Sequence, residues 1–273
     1  MHNVTEREFG GLRVVLTGGT DGRGGGNGPL VVLLHGYGAP GRDLVPLSQV
    51  LSVPDGTRFA FPAAPLSLGP DLGPAFMAMF DSRAWWPIDI ERFERALSGL
   101  GGRPDLQSPA VAALMNDVPA GLASARGKLL AALDAMERDL AVPPHRMLLG
   151  GFSQGAMLSL DTALRSQRPL AGLLLLSGTL LCKPEWLPLM PARAGLPVFQ
   201  SHGLRDPLLP FFIAEALRDH LRQAKLAVEF CAFPGQHEIP HAILRAAGTF
   251  LTATLTAPVP GSGVGTPGPT DHV

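Results

Sequence analysis

Gly151-Phe152-Ser153-Gln154-Gly155 places one serine midway between two glycines. The run follows the apolar segment Arg146-Met147-Leu148-Leu149-Gly150 and precedes Ala156-Met157-Leu158-Ser159-Leu160, which can open a helix. A serine at a strand-to-helix junction sits on a sharp turn, and the flanking glycines let neighbouring backbone come close to it. Such a turn lifts the hydroxyl above the edge of a sheet. A serine hydroxyl is a weak nucleophile until a base takes its proton. The chemistry to look for is therefore acyl transfer through Ser153, with an acid and a base later in the chain.

Two loops offer them. Ser201-His202-Gly203-Leu204-Arg205-Asp206-Pro207 follows one apolar run and contains Asp206, and Phe233-Pro234-Gly235-Gln236-His237-Glu238 follows the next and contains His237. In these roles Asp206 holds the imidazole of His237 in one tautomer and stabilises its cation. His237 takes the serine proton and returns it to the leaving group. The competing residues have other readings. His241 falls in the first turn of the last helix, and His202 is a strand-end residue that bonds backbone. Asp161 reads as part of a solvated helix face, and Glu238 points away from its neighbour His237.

Acyl transfer builds negative charge on a carbonyl oxygen, which two backbone N–H groups should meet. Gln154, directly after the nucleophile, supplies one. Leu33-Leu34-His35-Gly36-Tyr37-Gly38 supplies the other at Tyr37, with His35-Gly36 closing the preceding strand. Phe76, Met77, Met79, Phe80, Trp85 and Trp86 can line an acyl pocket or pack their segment onto the body. Of these, Met79, Phe80, Trp85 and Trp86 are the substrate-contact candidates. Arg83 reads as one half of a surface ion pair.

The elements that must position these residues alternate along the chain. Leu30–Leu34, Arg146–Gly150, Leu173–Leu176, Val198–Ser201 and Ala227–Phe230 are short apolar runs without polar alternation, as strands of a parallel sheet covered on both faces are. Leu122, Leu129, Leu130, Leu133, Met136 and Leu140 recur at helical spacing, as do Ile213, Leu217 and Leu221 after Pro210 and Ile243, Leu244, Phe250 and Leu251 after Pro240. This pattern predicts an α/β fold with an open, doubly wound sheet. One domain over residues 1–257 is expected, with 66–119 forming a helical cap over one end of the sheet. Gly18–Gly28 reads as a surface turn, and the Gly-, Pro-, Ser- and Thr-rich tail 258–273 as disordered.

Composition narrows the function classes. The 273 residues are 46% hydrophobic and 16% charged, with a net charge of −1, so no overall basic field collects nucleic acid or anionic lipid. No apolar stretch is long enough to span a bilayer, and the N-terminus does not read as a signal peptide, which makes a cytoplasmic protein the expectation. Neither Cys182 nor Cys231 has metal-ligand spacing to another Cys or His, and Cys231 reads as a buried reduced thiol.

The motifs Leu34-His35-Gly36-Tyr37-Gly38, Gly150-Gly151-Phe152-Ser153-Gln154-Gly155, His202-Gly203-Leu204-Arg205-Asp206-Pro207 and Gly235-Gln236-His237-Glu238 stand in the order found in one known group. Over about residues 28 to 255 the chain resembles the phospholipase/carboxylesterase family of α/β-hydrolases, which includes bacterial carboxylesterases and acyl-protein thioesterases. Arg83-Ala84-Trp85-Trp86 is similar to a segment near the active site of its bacterial esterases. The resemblance implies an α/β-hydrolase fold, Ser153, Asp206 and His237 as the triad, and the N–H groups of Tyr37 and Gln154 as the oxyanion hole. It implies no metal or organic cofactor and, in many members, a homodimer. The expected reaction is hydrolysis of small-molecule acyl esters with short to medium chains through an acyl-enzyme. Lysophospholipase or acyl-protein thioesterase activity is the alternative, and a noncatalytic binding protein the remote one. Gln236 stands where bacterial members often have glycine, and the 66–119 segment is longer than in compact thioesterases.

Overall fold

A computed structural model describes residues 4–69, 81–88 and 109–257. Its centre is a nine-stranded sheet made of β1 (Thr5–Phe9), β2 (Leu12–Gly19), β3 (Arg23–Gly25), β4 (Leu30–Leu34), β5 (Arg58–Pro62), β8 (Met147–Phe152), β9 (Gly172–Leu176), β10 (Pro197–Gly203) and β11 (Ala227–Phe233). The strands lie in the order β1-β2-β5-β4-β8-β9-β10-β11, with β3 paired to β2. From β5 to β11 every pairing is parallel, and β1 and β2 join antiparallel. The remaining strands, β6 (Leu66–Ser67) and β7 (Arg83–Ala84), form a separate two-stranded ladder.

The apolar runs form central strands because both of their faces are covered. Along β4, Leu30, Val32 and Leu34 enter one hydrophobic core while Val31 and Leu33 enter a second on the opposite face. The same period of two sends Leu149, Leu173 and Leu175 to the first core and Leu148, Leu174 and Leu176 to the second. Full burial of such a side chain contributes about 1.5–3 kcal/mol.

The helices fill the two faces. α1 (Pro109–Asn116), α2 (Leu122–Asp139), α3 (Gln154–Ser166) and α4 (Phe211–Gln223) supply apolar side chains to the first core, and α5 (His241–Thr256) supplies Ile243, Ala247, Phe250 and Leu251 to the second. Pro210 and Pro240 lie at the N-caps of α4 and α5, where a missing N–H costs nothing. No helix among the described residues is long and apolar enough to cross a membrane.

Two local expectations change. Gly18–Gly28 contains the short strand β3, tied to the end of β2. Segment 66–119, expected to be helical, contributes the β6–β7 ladder as well as α1; its residues 70–80 and 89–108 lie outside the described residues, as does the tail 258–273.

From β4 the chain crosses first to β5 on one side and later to β8 on the other. In open α/β sheets, such a reversal opens a crevice at the carboxyl ends of the two adjacent strands. The loops after β4 and β8 carry Tyr37 and Ser153.

Candidate active site

Ser153 occupies the single position between β8 and α3, with φ 55° and ψ −118°. A non-glycine residue at positive φ is strained by about 1–3 kcal/mol, so the surroundings must hold it there. Its N–H donates to the Leu176 carbonyl at 2.8 Å, and its own carbonyl accepts from Ala156 and Met157 at 3.0 and 3.1 Å. The end of β4 presses on this turn, since a Cβ on Gly155 would lie 2.7 Å from the His35 carbonyl oxygen. Only glycine lets the two backbones approach so closely.

Gln154 opens the 13-residue helix α3. Its N–H belongs to the first turn, where helical amides lack an internal partner and the helix dipole is positive. Its side chain is fully buried: Oε1 accepts from the Trp85 N–H at 2.9 Å, and Nε2 donates to the Trp86 carbonyl at 2.8 Å.

The loop after β4 lies against the nucleophile. A Cβ on Gly36 would stand 3.3 Å from Ser153 Cβ. The buried His35 ring orients this loop. Its Nε2 is 3.0 Å from the Ala64 amide, which can only donate, so the ring hydrogen sits on Nδ1 and is given to the Gly36 carbonyl at 2.8 Å. Burial pushes His35 below the ordinary histidine value and favours this neutral form. The Gly36–Tyr37 peptide is trans, so the Tyr37 N–H points away from the carbonyl that His35 holds.

Residues 82–85 frame the loop from the other side. Gly38 N–H donates to the Arg83 carbonyl at 2.9 Å, Arg83 N–H to the Ala39 carbonyl at 3.1 Å, and the Trp85 indole to the His35 carbonyl at 3.0 Å. Arg83 also pairs with Asp81 at 2.8 Å.

Asp206 and His237 meet at the ends of β10 and β11. His237 Nδ1–H donates to Asp206 Oδ2 at 2.7 Å, and Asp206 Oδ1 accepts from the Leu208 and Leu209 amides at 2.9 Å each. Burial pushes the Asp206 carboxyl up, but the bonds from His237 and Leu209 outweigh it and hold the group below the usual carboxylate value. Gln236 does not adopt a positive φ, so its position does not require glycine. Its N–H donates to Glu238 Oε1 at 3.1 Å.

A cavity of about 740 Å³ gathers these groups: Tyr37, Ser153, Gln154 and His237 line it, and Trp86, Met157, Leu181 and Leu208 form part of its apolar wall. Trp85 does not line it. That side chain is buried behind the loop, where its indole N–H donates to the His35 carbonyl and its ring lies 5.6 Å from the His35 ring, centroid to centroid. Met79 and Phe80, like Phe76 and Met77, lie outside the described residues.

Two other expectations are revised. Asp161 is not on a solvated face but fully buried, bonded to Arg126 at 2.6 Å, Arg165 at 2.8 Å and the Trp186 indole at 2.8 Å. Those donors compensate a charge that could not otherwise be buried. Cys231 is half-buried, because the far face of the edge strand β11 is only partly covered. Cys182 is the buried thiol, and burial pushes it up to about 12. The ring of His35 and the side-chain amide of Gln154 were not anticipated; the sequence signal for His35 is a polar residue after an apolar strand, and for Gln154 a place directly after the nucleophile.

The family model described as Phospholipase/Carboxylesterase matches residues 118–255. The chain belongs to this family. Acyl-protein thioesterase 1 of Neurospora crassa is 33% identical over 123 residues, 44% of this chain and 50% of that protein. The protein of the same name from Cryptococcus neoformans is 27% identical over 228 residues, 77% of this chain and 84% of its own. Among solved structures, esterase PE8 superposes with a TM-score of 0.66 and 26% identity, covering 91% of this chain and 98% of PE8. The α/β-hydrolase architecture of the sheet agrees with that likeness.

Proposed function

We propose that this protein is a serine carboxylesterase acting on short- to medium-chain acyl esters. One observation carries the reading: Ser153, on a strained turn, shares a single apolar cavity with a histidine whose far nitrogen is fastened to a buried carboxylate. With Nδ1–H committed to Asp206, His237 presents Nε2 as the base. Ser153 Oγ loses its proton to that nitrogen as it attacks the ester carbonyl. The oxyanion that forms is met by the N–H groups of Tyr37 and Gln154. Collapse expels the alcohol, which takes the proton from His237, and water repeats the sequence on the acyl-enzyme. Trp86 and Met157 supply wall for the acyl chain. Trp86 and α1 bring two stretches of segment 66–119 to the cavity, which supports that segment as a cap.

A thioester is the second substrate class, favoured by relatives named acyl-protein thioesterase 1. The same steps apply with a thiolate leaving group. Ser153→Ala should lower p-nitrophenyl acetate turnover by on the order of 10⁶-fold and abolish fluorophosphonate labelling. Retention of most turnover by the pure variant would remove Ser153 from the mechanism. Matched oxygen-ester and thioester series of increasing acyl length would then decide between the two substrate classes.

A further inference from the structure

His202 stands next to last in β10, and its side chain is completely buried. Its Nε2 lies 2.7 Å from the Leu209 carbonyl oxygen. A carbonyl can only accept, so this nitrogen carries the hydrogen. The same Nε2 lies 3.3 Å from Asp206 Oδ2, the oxygen that takes the His237 hydrogen bond. Burial pushes His202 below the ordinary histidine value, so the ring presents an N–H dipole to the acid and not a second cation.

The Leu204 and Arg205 amides tie the chain before the acid to the Phe233 and Gly235 carbonyls, but residues 207–210, which follow it, have few fastenings of their own. Pro207 and Pro210 have no N–H to give, and the Leu208 and Leu209 amides are both spent on Asp206 Oδ1. The bond from His202 to the Leu209 carbonyl ties the far end of the segment back to β10. A continuous chain of contacts results: His202 holds Leu209, the Leu209 amide holds one oxygen of Asp206, and the other oxygen holds His237.

We propose that His202 is a positioning residue, which fixes the Asp206 carboxylate toward His237 by anchoring the Leu209 carbonyl beside it. The inference rests on the reading that Asp206 orients a catalytic His237. Without the His202 N–H, the Leu209–Pro210 peptide is free to turn, and the loosened Leu209 can carry its own N–H, in the preceding peptide, away from Asp206 Oδ1. The carboxylate then leaves the plane of the His237 ring. Because a misplacement of about 1 Å can cost about 10²-fold in rate, loss of this tie should appear chiefly in kcat.

Three variants separate the N–H from the bulk of the ring. His202→Leu keeps most of the volume and has no donor. His202→Gln carries an amide nitrogen able to reach the position of ring Nε2, whereas the amide of His202→Asn stops near Nδ1. On p-nitrophenyl acetate, kcat should fall by about 10- to 100-fold in the Leu and Asn variants, with KM within about threefold, while Gln stays within about fivefold of the parent. The low-field proton resonance of His237 Nδ1–H, assigned by its loss in His237→Ala, should persist in Gln and weaken or vanish in Leu and Asn. Parental kcat in Leu, or equal loss in Gln and Asn, would overturn the proposal. Should His202→Leu fail to fold, the contrast between Gln and Asn still decides. Asp206→Ala and Ser153→Ala are measured alongside: retained activity in those two defeats the underlying mechanism, whereas their loss with an active His202→Leu defeats only the role of His202.

Discussion

Replacing His35 with leucine tests how the second oxyanion donor is aimed. The substitution keeps a buried apolar side chain but removes both ring bonds, to the Gly36 carbonyl at 2.8 Å and from the Ala64 amide at 3.0 Å. The Ala64 amide is left buried without its partner, and the Gly36 carbonyl keeps only the long bond from the Ala39 N–H at 3.4 Å. An unpartnered buried main-chain group costs about 1–3 kcal/mol, so about 3 kcal/mol of stability should be lost. At about 3 °C per kcal/mol for a chain of this size, the melting temperature should fall by about 9 °C. The catalytic loss has a separate origin. The freed Gly36–Tyr37 peptide can rotate, and losing one oxyanion donor costs about 10²- to 10³-fold in kcat. His35→Asn separates the two effects, because its amide can donate to Gly36 from the Nδ1 position but cannot also accept from Ala64. It should recover turnover far more than melting temperature. The assay is kcat on p-nitrophenyl acetate at 20 °C or so, well below the melting range, with active sites counted by fluorophosphonate labelling. His35→Leu with unchanged kcat per active site would refute the claim that His35 aims the Tyr37 amide.

Other consequences can be measured in the same preparations. His237→Ala should reduce turnover nearly as far as Ser153→Ala, whereas His241→Ala, at the exposed start of α5, should remain within about threefold of the parent; the reverse ranking would move the base. Asp161→Asn removes the charge that Arg126 and Arg165 share; because both guanidiniums are partly exposed and Arg165 also pairs with Glu185, it should cost about 1–3 kcal/mol in urea unfolding, and an unchanged stability would show that the buried carboxylate is not needed there. Because burial lowers both His35 and His202, the unfolded chain binds protons near the ordinary 6.5 that the folded chain refuses. Stability should therefore fall as pH drops below about 7, with a limiting slope of about 1.4 kcal/mol per pH unit for each histidine. Urea midpoints from pH 8 to 5 read this slope, and a flat profile would contradict burial of the two rings in neutral form.

The central strands were legible because each is a dry apolar run between turn signals. β1 and β5 were not singled out, for opposite reasons. β1 is mostly exposed and carries Glu6, Arg7 and Glu8, while β5 begins at Arg58, which is buried only because its guanidinium meets the Gly28 and Leu140 carbonyls. Asp161 shows a related limit. Helical period places it on a face, but it cannot show that Arg126, 35 residues away, and Trp186 will meet it there.

At the site, the residues whose chemistry the reaction needs stand out by type and order: a serine between glycines, then an aspartate, then a histidine. Of the residues that hold them, only His202 is legible, as a strand-end histidine that bonds backbone, and its partner is not; the reason is physical. His35 bonds Gly36 and Ala64, His202 bonds Leu209, and the Gln154 amide bonds Trp85 and Trp86, in every case through main-chain groups. Apart from proline, every residue carries the same N–H and C=O, so a side chain that fastens backbone has a partner with no signature in the sequence. What such fasteners hold becomes visible only when the strands are in register. Their buried rings and amides are therefore where substitutions should damage turnover without touching a reacting atom.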